Sequence, residues 1–459
     1  MTIAGRLLLR VTHRVRGSKT LDLLRTIQPE PYKSRPEMLQ RQFERLSQIL
    51  LIAEAHVPYY REMFRSLGIR ARDVRNLKDF AALPILTKET IRQRLDDFVR
   101  EDVSKDKLIT VHSGGSTGVP LKFYRTRHEI DICEAAVFRN WLQSGWRPGD
   151  MVAYFWGDRE LAAMSEWEFE LRQNLRRMYQ FDAFHSGPQQ MDRWIAKWKR
   201  IKPKIVFGYS SAIFRFATHV ESVGEKLYPV LAVVSTAEKL YPEQRQVISR
   251  VFAGPLFDMY GSSEIHSIAC SCPRGRMHVN VDNAVLETDR TGVLPGQPSA
   301  FVVTSLRNEV MPFIRYRNED CGELLDGVCD CGNQFPLMEL DISRTFDHFI
   351  LPDGRFAHGM LFVRVMDVAH GISTFQFHQT EPDSITLWIV PGPGDPSARE
   401  RSIQQIVEQV RSFDSKGRIK VHVRITDSIP LSPNGKHRYI RSDVRPTSVE
   451  GNVKQPARV

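Results

Sequence analysis

The sequence predicts an α/β protein: a large N-terminal domain of helices layered on a largely parallel sheet, a β-rich subdomain within it, and a small α+β domain at the C terminus. Three observations lead there. Between about residues 129 and 260 helical and strand-like segments alternate, as they do when helices cross over between parallel strands. From Val279 to Tyr316 the segments shorten and are separated by Gly/Pro turns. After about Ser343 come two alternating strands, an amphipathic helix and a third strand. The 459 residues exceed what one small core organises, and a composition of 42% hydrophobic and 26% charged residues supports sizeable cores.

Taken in order, the N-terminal arm carries Arg6, Arg10, Arg14, Arg16 and Lys19 and reads as a solvated tail, or less simply as a contact for anionic lipid. From Pro36 to Phe64, Leu39, Phe43, Leu46, Leu50 and Ala53 recur at three- and four-residue spacing and make one apolar stripe on a helix. Pro58 breaks it, and Tyr59-Tyr60 sit in a turn or new helix. Thr87, after Leu83-Pro-Ile-Leu, is placed to cap a second helix. A small-residue loop follows, His112-Ser-Gly-Gly-Ser-Thr-Gly-Val-Pro-Leu-Lys122, running into a strand from Leu121 to Tyr124. Then come a helix (129–143), a strand (151–156), a long amphipathic stretch (166–200), a strand (205–207) and a turn at Gly208 into a helix around Phe214 to Val220. Val230 to Val234 and Leu256 to Met259 read as short buried strands with polar residues at their carboxyl ends, where ligands collect in parallel sheets. In the C-terminal part, 373–377, 384–389 and 419–426 are strands and 398–413 is a helix. Domain boundaries are expected at 1–343 and 344–445, with a disordered tail at 446–459.

The net charge is +10, but the 64 basic and 54 acidic residues interleave except in the arm and in the run from Lys436 to Arg445. No basic patch is interleaved with aromatics, which argues against a nucleic-acid binder. No apolar run approaches the roughly 20 residues of a membrane helix. Leu7-Leu8-Leu9 is too short, and too closely flanked by Arg6 and Arg10, for a signal peptide; a cytoplasmic protein is expected. Of six cysteines, Cys133 reads as core, and the other five cluster as Cys270-Ser-Cys272, Cys321 and Cys329-Asp-Cys331, with His278 nearby. Two C-x-C elements suit one tetrahedral Zn²⁺ site built from Cys329, Cys331, His278 and either Cys270 or Cys272; the rival reading is reduced, buried thiols without metal.

The Gly/Ser loop reads as a phosphate cradle. Gly114, Gly115 and Gly118 leave amides bare to oxyanions, and Ser113, Ser116 and Thr117 add hydroxyls. It is not a Walker A loop, because no Gly-Lys-Ser/Thr ends it. Four motifs follow: Asp258-Met-Tyr-Gly-Ser-Ser-Glu264, Ile314-Arg-Tyr-Arg-Asn-Glu-Asp320, Ser343-Arg-Thr-Phe-Asp347, and Pro430 to Arg438 with Asn434-Gly-Lys436. In this order they resemble the adenylate-forming acyl-CoA synthetases, most closely the phenylacetate-CoA ligase family and its CapK-like capsular polysaccharide biosynthesis branch.

The resemblance implies that the large domain is an adenylate-forming, AMP-binding domain and the small one a mobile lid. It implies that residues 113–118 wrap the triphosphate of ATP, that Ala237 and Glu238 edge the adenine, and that Tyr260, with Gly261 beside it, faces the base. Glu264 would hold Mg²⁺, Asp320 the ribose hydroxyls and Arg344 the hinge side of the ribose and phosphate, while Lys436 would reach in from the lid as a catalytic cation. Tyr209, Ser235 and Thr236 would border the acid. The implied activity is ATP-dependent, AMP-forming ligation of a small carboxylic acid to coenzyme A, in a chain that could pair as a homodimer. Alternatives are an adenylyltransferase or an acyl or amide ligase in surface-polysaccharide assembly, and a degenerate nucleotide-binding scaffold. The chain departs from many relatives at the hinge, where Phe346 stands in place of an acid, and in its His112 and doubled glycine.

Overall fold

The computed structural model describes residues 3–113, 121–157, 164–183, 187–238, 240, 242–290, 299–342, 348–354, 356–392, 394–430 and 439–444. Gly114, Gly115, Ser116, Thr117, Gly118, Arg344, Phe346, Lys436 and the tail at 446–459 lie outside them. Two compact units divide near residue 345.

The first unit opens with helices α1 (Ile3–Val15), α2 (Thr20–Ile27), α3 (Arg35–His56), α4 (Pro58–Leu67), α5 (Leu77–Ala81) and α6 (Lys88–Gln93), then the hairpin β1 (Ile109–His112) and β2 (Lys122–Arg125). Next come α7 (Arg127–Gln143), β3 (Val152–Trp156), α8 (Glu166–Arg176), β4 (Met178–Asp182), α9 (Pro188–Ile201), β5 (Ile205–Tyr209), α10 (Ser210–Ser222), β6 (Ala232–Thr236), α11 (Pro242–Phe252) and β7 (Leu256–Tyr260). Strands β8 (Ala269–Ser271), β9 (Met277–Val279), β10 (Ala284–Asp289), β11 (Ser299–Ser305), β12 (Tyr316–Leu325) and β13 (Leu337–Ile342) complete one 11-stranded sheet, ordered β10-β11-β12-β13-β9-β8-β7-β6-β5-β3-β4. It is parallel from β4 to β7 and antiparallel beyond, so the β-rich stretch continues the same sheet.

The second unit contains β14 (His348–Ile350), β15 (Phe356–His358), α12 (Gly359–Arg364), β16 (Ile372–Glu381), β17 (Ser384–Pro391), α13 (Pro396–Arg411), β18 (Lys420–Ile425) and β19 (Ile440–Ser442). A four-stranded sheet, β18-β17-β16-β19, buries Phe375, Phe377, Leu387 and Ile389 with Ile406 and Val410 of α13, as the alternating pattern predicts. No helix among the described residues is long and apolar enough to cross a membrane.

Several expectations are corrected. The N-terminal arm is folded: α1 and α2 pack on the first unit, Leu9, Leu24 and Ile27 are buried, and the Thr12 hydroxyl donates to the Leu175 carbonyl at 3.0 Å. Charge spacing hid this, because Arg10 and Arg14 lie on the exposed face of α1, opposite the buried Leu9. The stretch 166–200 is not continuous: Arg177 takes φ 54 and ends α8, and alternation then buries Tyr179 and Phe181 in β4. On α3 the buried stripe is Met38, Leu46, Ile49, Leu50 and Ala53, joined by Gln42, whose amide donates to the Ala284 carbonyl; Leu39 is exposed. Gly208 belongs to β5. A Cβ there would lie 2.1 Å from the Phe155 carbonyl oxygen, so only glycine lets β5 lie this close to β3.

Candidate functional site

Strands β5, β6 and β7 end in register, so Tyr209, Thr236 and Met259 share one level at the carboxyl edge of the parallel sheet. Hydrogen bonds hold this edge. The Thr236 hydroxyl donates to the Met259 carbonyl at 2.9 Å, and that of Ser235 donates to Asp258 Oδ1 at 3.0 Å. Burial pushes the Asp258 carboxyl up to about 6, against the lowering effect of the Ser235 bond. Beyond β6 the chain turns through Ala237 at φ 67, a backbone region that costs a β-carbon residue energy and tends to persist where function needs it. Glu238 anchors that turn: its carboxylate accepts from the Ser211 amide at 2.8 Å and its carbonyl from the Ser210 hydroxyl at 3.2 Å, at the start of α10.

After β7 the turn Gly261 to Glu264 is clamped from outside. The Arg125 guanidinium, at the end of β2, donates to the Ser263 carbonyl at 2.6 Å and the Glu264 carbonyl at 3.0 Å, and also to His266 Nε2 at 3.2 Å. Burial and Arg125 together hold His266 well below its ordinary value, so the ring is a neutral acceptor. Glu129 stands 3.1 Å from Arg125. Neither Arg125 nor Glu129 was singled out from the sequence. The signal was there in the Arg125, Glu129 helical spacing directly after the Gly/Ser loop, but an i,i+4 pair on a surface helix looks the same. Ser113 closes the neck of that loop, its amide donating to the Leu121 carbonyl at 2.9 Å and its hydroxyl accepting from the Leu121 amide at 2.8 Å.

Glu264 is buried, with Oε1 accepting from the Tyr316 hydroxyl at 3.1 Å, while Oε2 is buried with no hydrogen-bond partner among the described residues. A buried carboxylate oxygen without a donor is costly unless a cation completes it, and Mg²⁺ takes such hard oxygen ligands. Tyr260 and Asp320 are both buried, and Asn318 Nδ2 donates to Tyr260 Oη at 2.7 Å and to Asp320 Oδ2 at 3.2 Å.

The cysteine cluster closes on itself. Ligand atoms of Cys272, His278, Cys329 and Cys331 lie within 4.8 Å of one another, with Cys272 Sγ 3.8 Å from Cys329 Sγ and Cys331 Sγ 3.5 Å from His278 Nε2. His278 Nδ1 faces the Phe335 carbonyl at 2.9 Å, which requires the proton on Nδ1 and turns the Nε2 lone pair toward the thiols. Burial lowers the His278 pKa, in keeping with a neutral imidazole. Three sulfurs and one imidazole fit tetrahedral Zn²⁺. Cys270 is not part of this group: it lies in β8 opposite Met259, packed in the core.

A cavity of about 410 Å³ opens on the same edge, lined there by Thr236, Ala237, Gly261, Ser262 and Ser263. Its sheet wall is aromatic: Tyr154, Trp156 and Phe207 lie parallel within 4–7°. Tyr209 stacks on Trp156 at 4.2 Å, two residues beyond Phe207 on the same face of β5, and Ser235 points to the other face, toward Asp258.

No family model matches the chain. Among curated proteins it is 22% identical over 419 residues to Protein CapK of Staphylococcus aureus, covering 89% of this chain and 90% of that one. It is 28% identical over 317 residues to the phenylacetate-coenzyme A ligase of Aromatoleum evansii, covering 65% and 69%. Among solved structures, 2-hydroxyisobutyryl-CoA ligase with 2-HIB-AMP and CoA in the thioesterification state superposes with a TM-score of 0.60 at 19% identity, covering 90% of this chain and 91% of that one. The same ligase in the postadenylation state gives 0.58 at 18%. The fold is that of these ligases, and the resemblance read from the motifs holds.

Proposed function

We propose that this chain, a relative of CapK and the phenylacetate-coenzyme A ligases, is an ATP-dependent, AMP-forming ligase that activates a carboxylic acid and passes the acyl group to coenzyme A. The observation that carries the reading is the shared lining of the cavity: residues Gly261 to Ser263 border it, and the next residue is Glu264 with its unpartnered buried oxygen. An acid in the cavity and a nucleotide phosphate at the turn would therefore meet.

In the first half-reaction a carboxylate oxygen of the acid attacks the α-phosphorus of ATP. A new P–O bond forms, the bond from that phosphorus to the bridging oxygen breaks, and pyrophosphate leaves. In the second, the thiol sulfur attacks the acyl carbon, AMP departs with the carboxylate oxygen, and the thiol proton is released. Bound through Glu264, Mg²⁺ would supply positive charge against the phosphates. Residues 114–118, Arg344 and Lys436, which complete the site in this reading, lie outside the described residues. Arg125 holds the backbone of the turn so that Glu264 is presented without rearrangement, which lowers the cost of organising charge in the transition state. Tyr260, Asn318 and Asp320 would form the base and ribose side, and Ala237 and Glu238 the adenine edge. Cys272, His278, Cys329 and Cys331 would hold a structural zinc that pins the β12–β13 turn to β9.

The likeness to CapK spans nearly the whole chain. As a second reading, the activated acyl group passes to an acceptor other than coenzyme A, such as an amine or sugar. Carboxylate-dependent exchange of labelled pyrophosphate into ATP tests the first half-reaction, and Glu264→Gln should lower it by about a hundredfold. No exchange with any acid would sink the ligase reading and leave the scaffold. Exchange without coenzyme A-dependent AMP release would support the second acceptor.

A further inference from the structure

The cavity continues away from the nucleotide edge. Met178 lines it, and Met178 stands in register with Val152, Val152 with Ile205, and Ile205 with Ala232. Ala232 and Thr236 are the two ends of β6, so the cavity follows the strands for about 13 Å at the usual rise of ~3.3 Å per residue. At the amino-terminal end its lining changes in character. Arg176, two positions before Met178, and Arg16, just past α1, both face it, together with Arg127, His13 and Glu134.

The charges there do not balance. Arg127 is held by Asp131 at 3.2 Å, and Glu134 accepts from the Thr20 hydroxyl at 2.7 Å. His13 Nδ1 meets the Ser18 hydroxyl at 3.0 Å, and burial keeps His13 toward its neutral form. Among the described residues neither the Arg176 nor the Arg16 guanidinium has a hydrogen-bond or ion-pair partner. Arg176 is half-buried: burial and the nearby Arg16 lower its pKa while the Glu134 carboxylate raises it, so this end sets two guanidinium groups against one carboxylate not already paired with Arg127. Between the two polar ends is a slot lined on the sheet side by the parallel, offset-stacked rings of Tyr154, Trp156 and Phe207 and on the α7 side by Phe138 and Trp141. A planar apolar body fills such a slot.

On the reading that this site adenylates an acid, we propose that its substrate is elongated, with a planar, aromatic body and a second anionic group at the far end, received by Arg176 with Arg16. The carboxylate to be activated sits at Thr236 and Gly261, and the distal anion completes the two guanidinium groups. Because α1 supplies Arg16, the N-terminal helix becomes part of the specificity surface.

The test compares three acids with the full-length chain, ATP and Mg²⁺: phenylpropanoic acid, its para-carboxy analogue, and the methyl ester of that para-carboxyl, which has its size without its charge. AMP release gives kcat/KM for each, the fate of the acyl group being scored with coenzyme A present. The diacid should exceed both others by about tenfold or more, mainly through KM, because an unmet guanidinium penalises the uncharged analogues. Arg176→Gln should lower kcat/KM for the diacid at least about tenfold more than for the monoacid, with Arg176→Lys between. Arg16→Gln, on the exposed end of α1, should act in the same direction and serves as the independent variant if Arg176→Gln does not fold. Turnover of the monoacid equal to or above the diacid, or equal losses for all three acids in the folded variants, overturns the distal-anion assignment while leaving the ligase. Absence of turnover and exchange with every acid in a wider panel overturns both.

Discussion

Tyr260 Oη lies 3.1 Å from Asp320 Oδ2, although one residue ends β7 and the other sits in β12. Those strands are not neighbours: β8, β9 and β13 come between them. In a flat sheet four spacings of about 4.8 Å would hold the backbones about 19 Å apart, so the sheet curls until the two side chains meet. The bond should therefore couple two sequence motifs energetically. Tyr260→Phe and Asp320→Asn should each weaken ATP binding, and the double variant should lose less than the sum, with a coupling of about 0.5–3 kcal/mol. Calorimetric titration with ATP checks it; strict additivity would show the two residues act apart.

Glu129 gives a pH dependence. Burial outweighs the Arg125 guanidinium and pushes the Glu129 carboxyl from an ordinary 4.5 up to about 8. Between those pH values the folded chain keeps a proton that the unfolded chain releases, so this contribution to stability is full below about 4.5 and declines as pH rises to about 8. Glu129→Gln, which stays neutral, should flatten the fall in Tm across that window by a few degrees. Melting curves at several pH values decide; an unchanged slope would place the titration elsewhere.

The zinc assignment separates two cysteines that the sequence left equivalent. Purified without chelator, the chain should contain about one zinc. Cys272→Ser should lose that metal and lower Tm, whereas Cys270→Ser should keep it, because Cys270 packs in the core opposite Met259. Metal analysis of the two variants is the check, and retention by Cys272→Ser would refute the four-ligand set.

Lys436 carries the proposed adenylation step. Lys436→Ala should lower carboxylate-dependent pyrophosphate exchange by about a hundredfold or more, while a supplied acyl-adenylate is still converted to thioester. Normal exchange in this variant would make Lys436 an ordinary solvated lysine.

Local chemistry was enough for much of this molecule. The Thr87 hydroxyl does accept from the Thr90 amide at 3.2 Å, since capping depends only on a few adjacent residues. Strands β5, β6 and β7 were legible because a strand buried on both faces must be a continuous apolar run. The motif ending in Glu264 was legible as a turn with a carboxylate, and the cysteine spacing as a Cys/His cluster with one member undecided. Tertiary structure decided the rest, because each remaining question was about distance in space. It set Cys272 beside His278 and Cys270 in the core, since β8 ends between them. It split 166–200 at Arg177, where a left-handed backbone outweighed helical periodicity. It folded the N-terminal arm onto α7, where Asp131 accepts from the Ser18 hydroxyl and the Lys19 amide. Side chains more than a hundred residues apart cannot be paired by period or propensity, and those pairings are what place Arg16 and Arg176 at the end of the same cavity as Thr236.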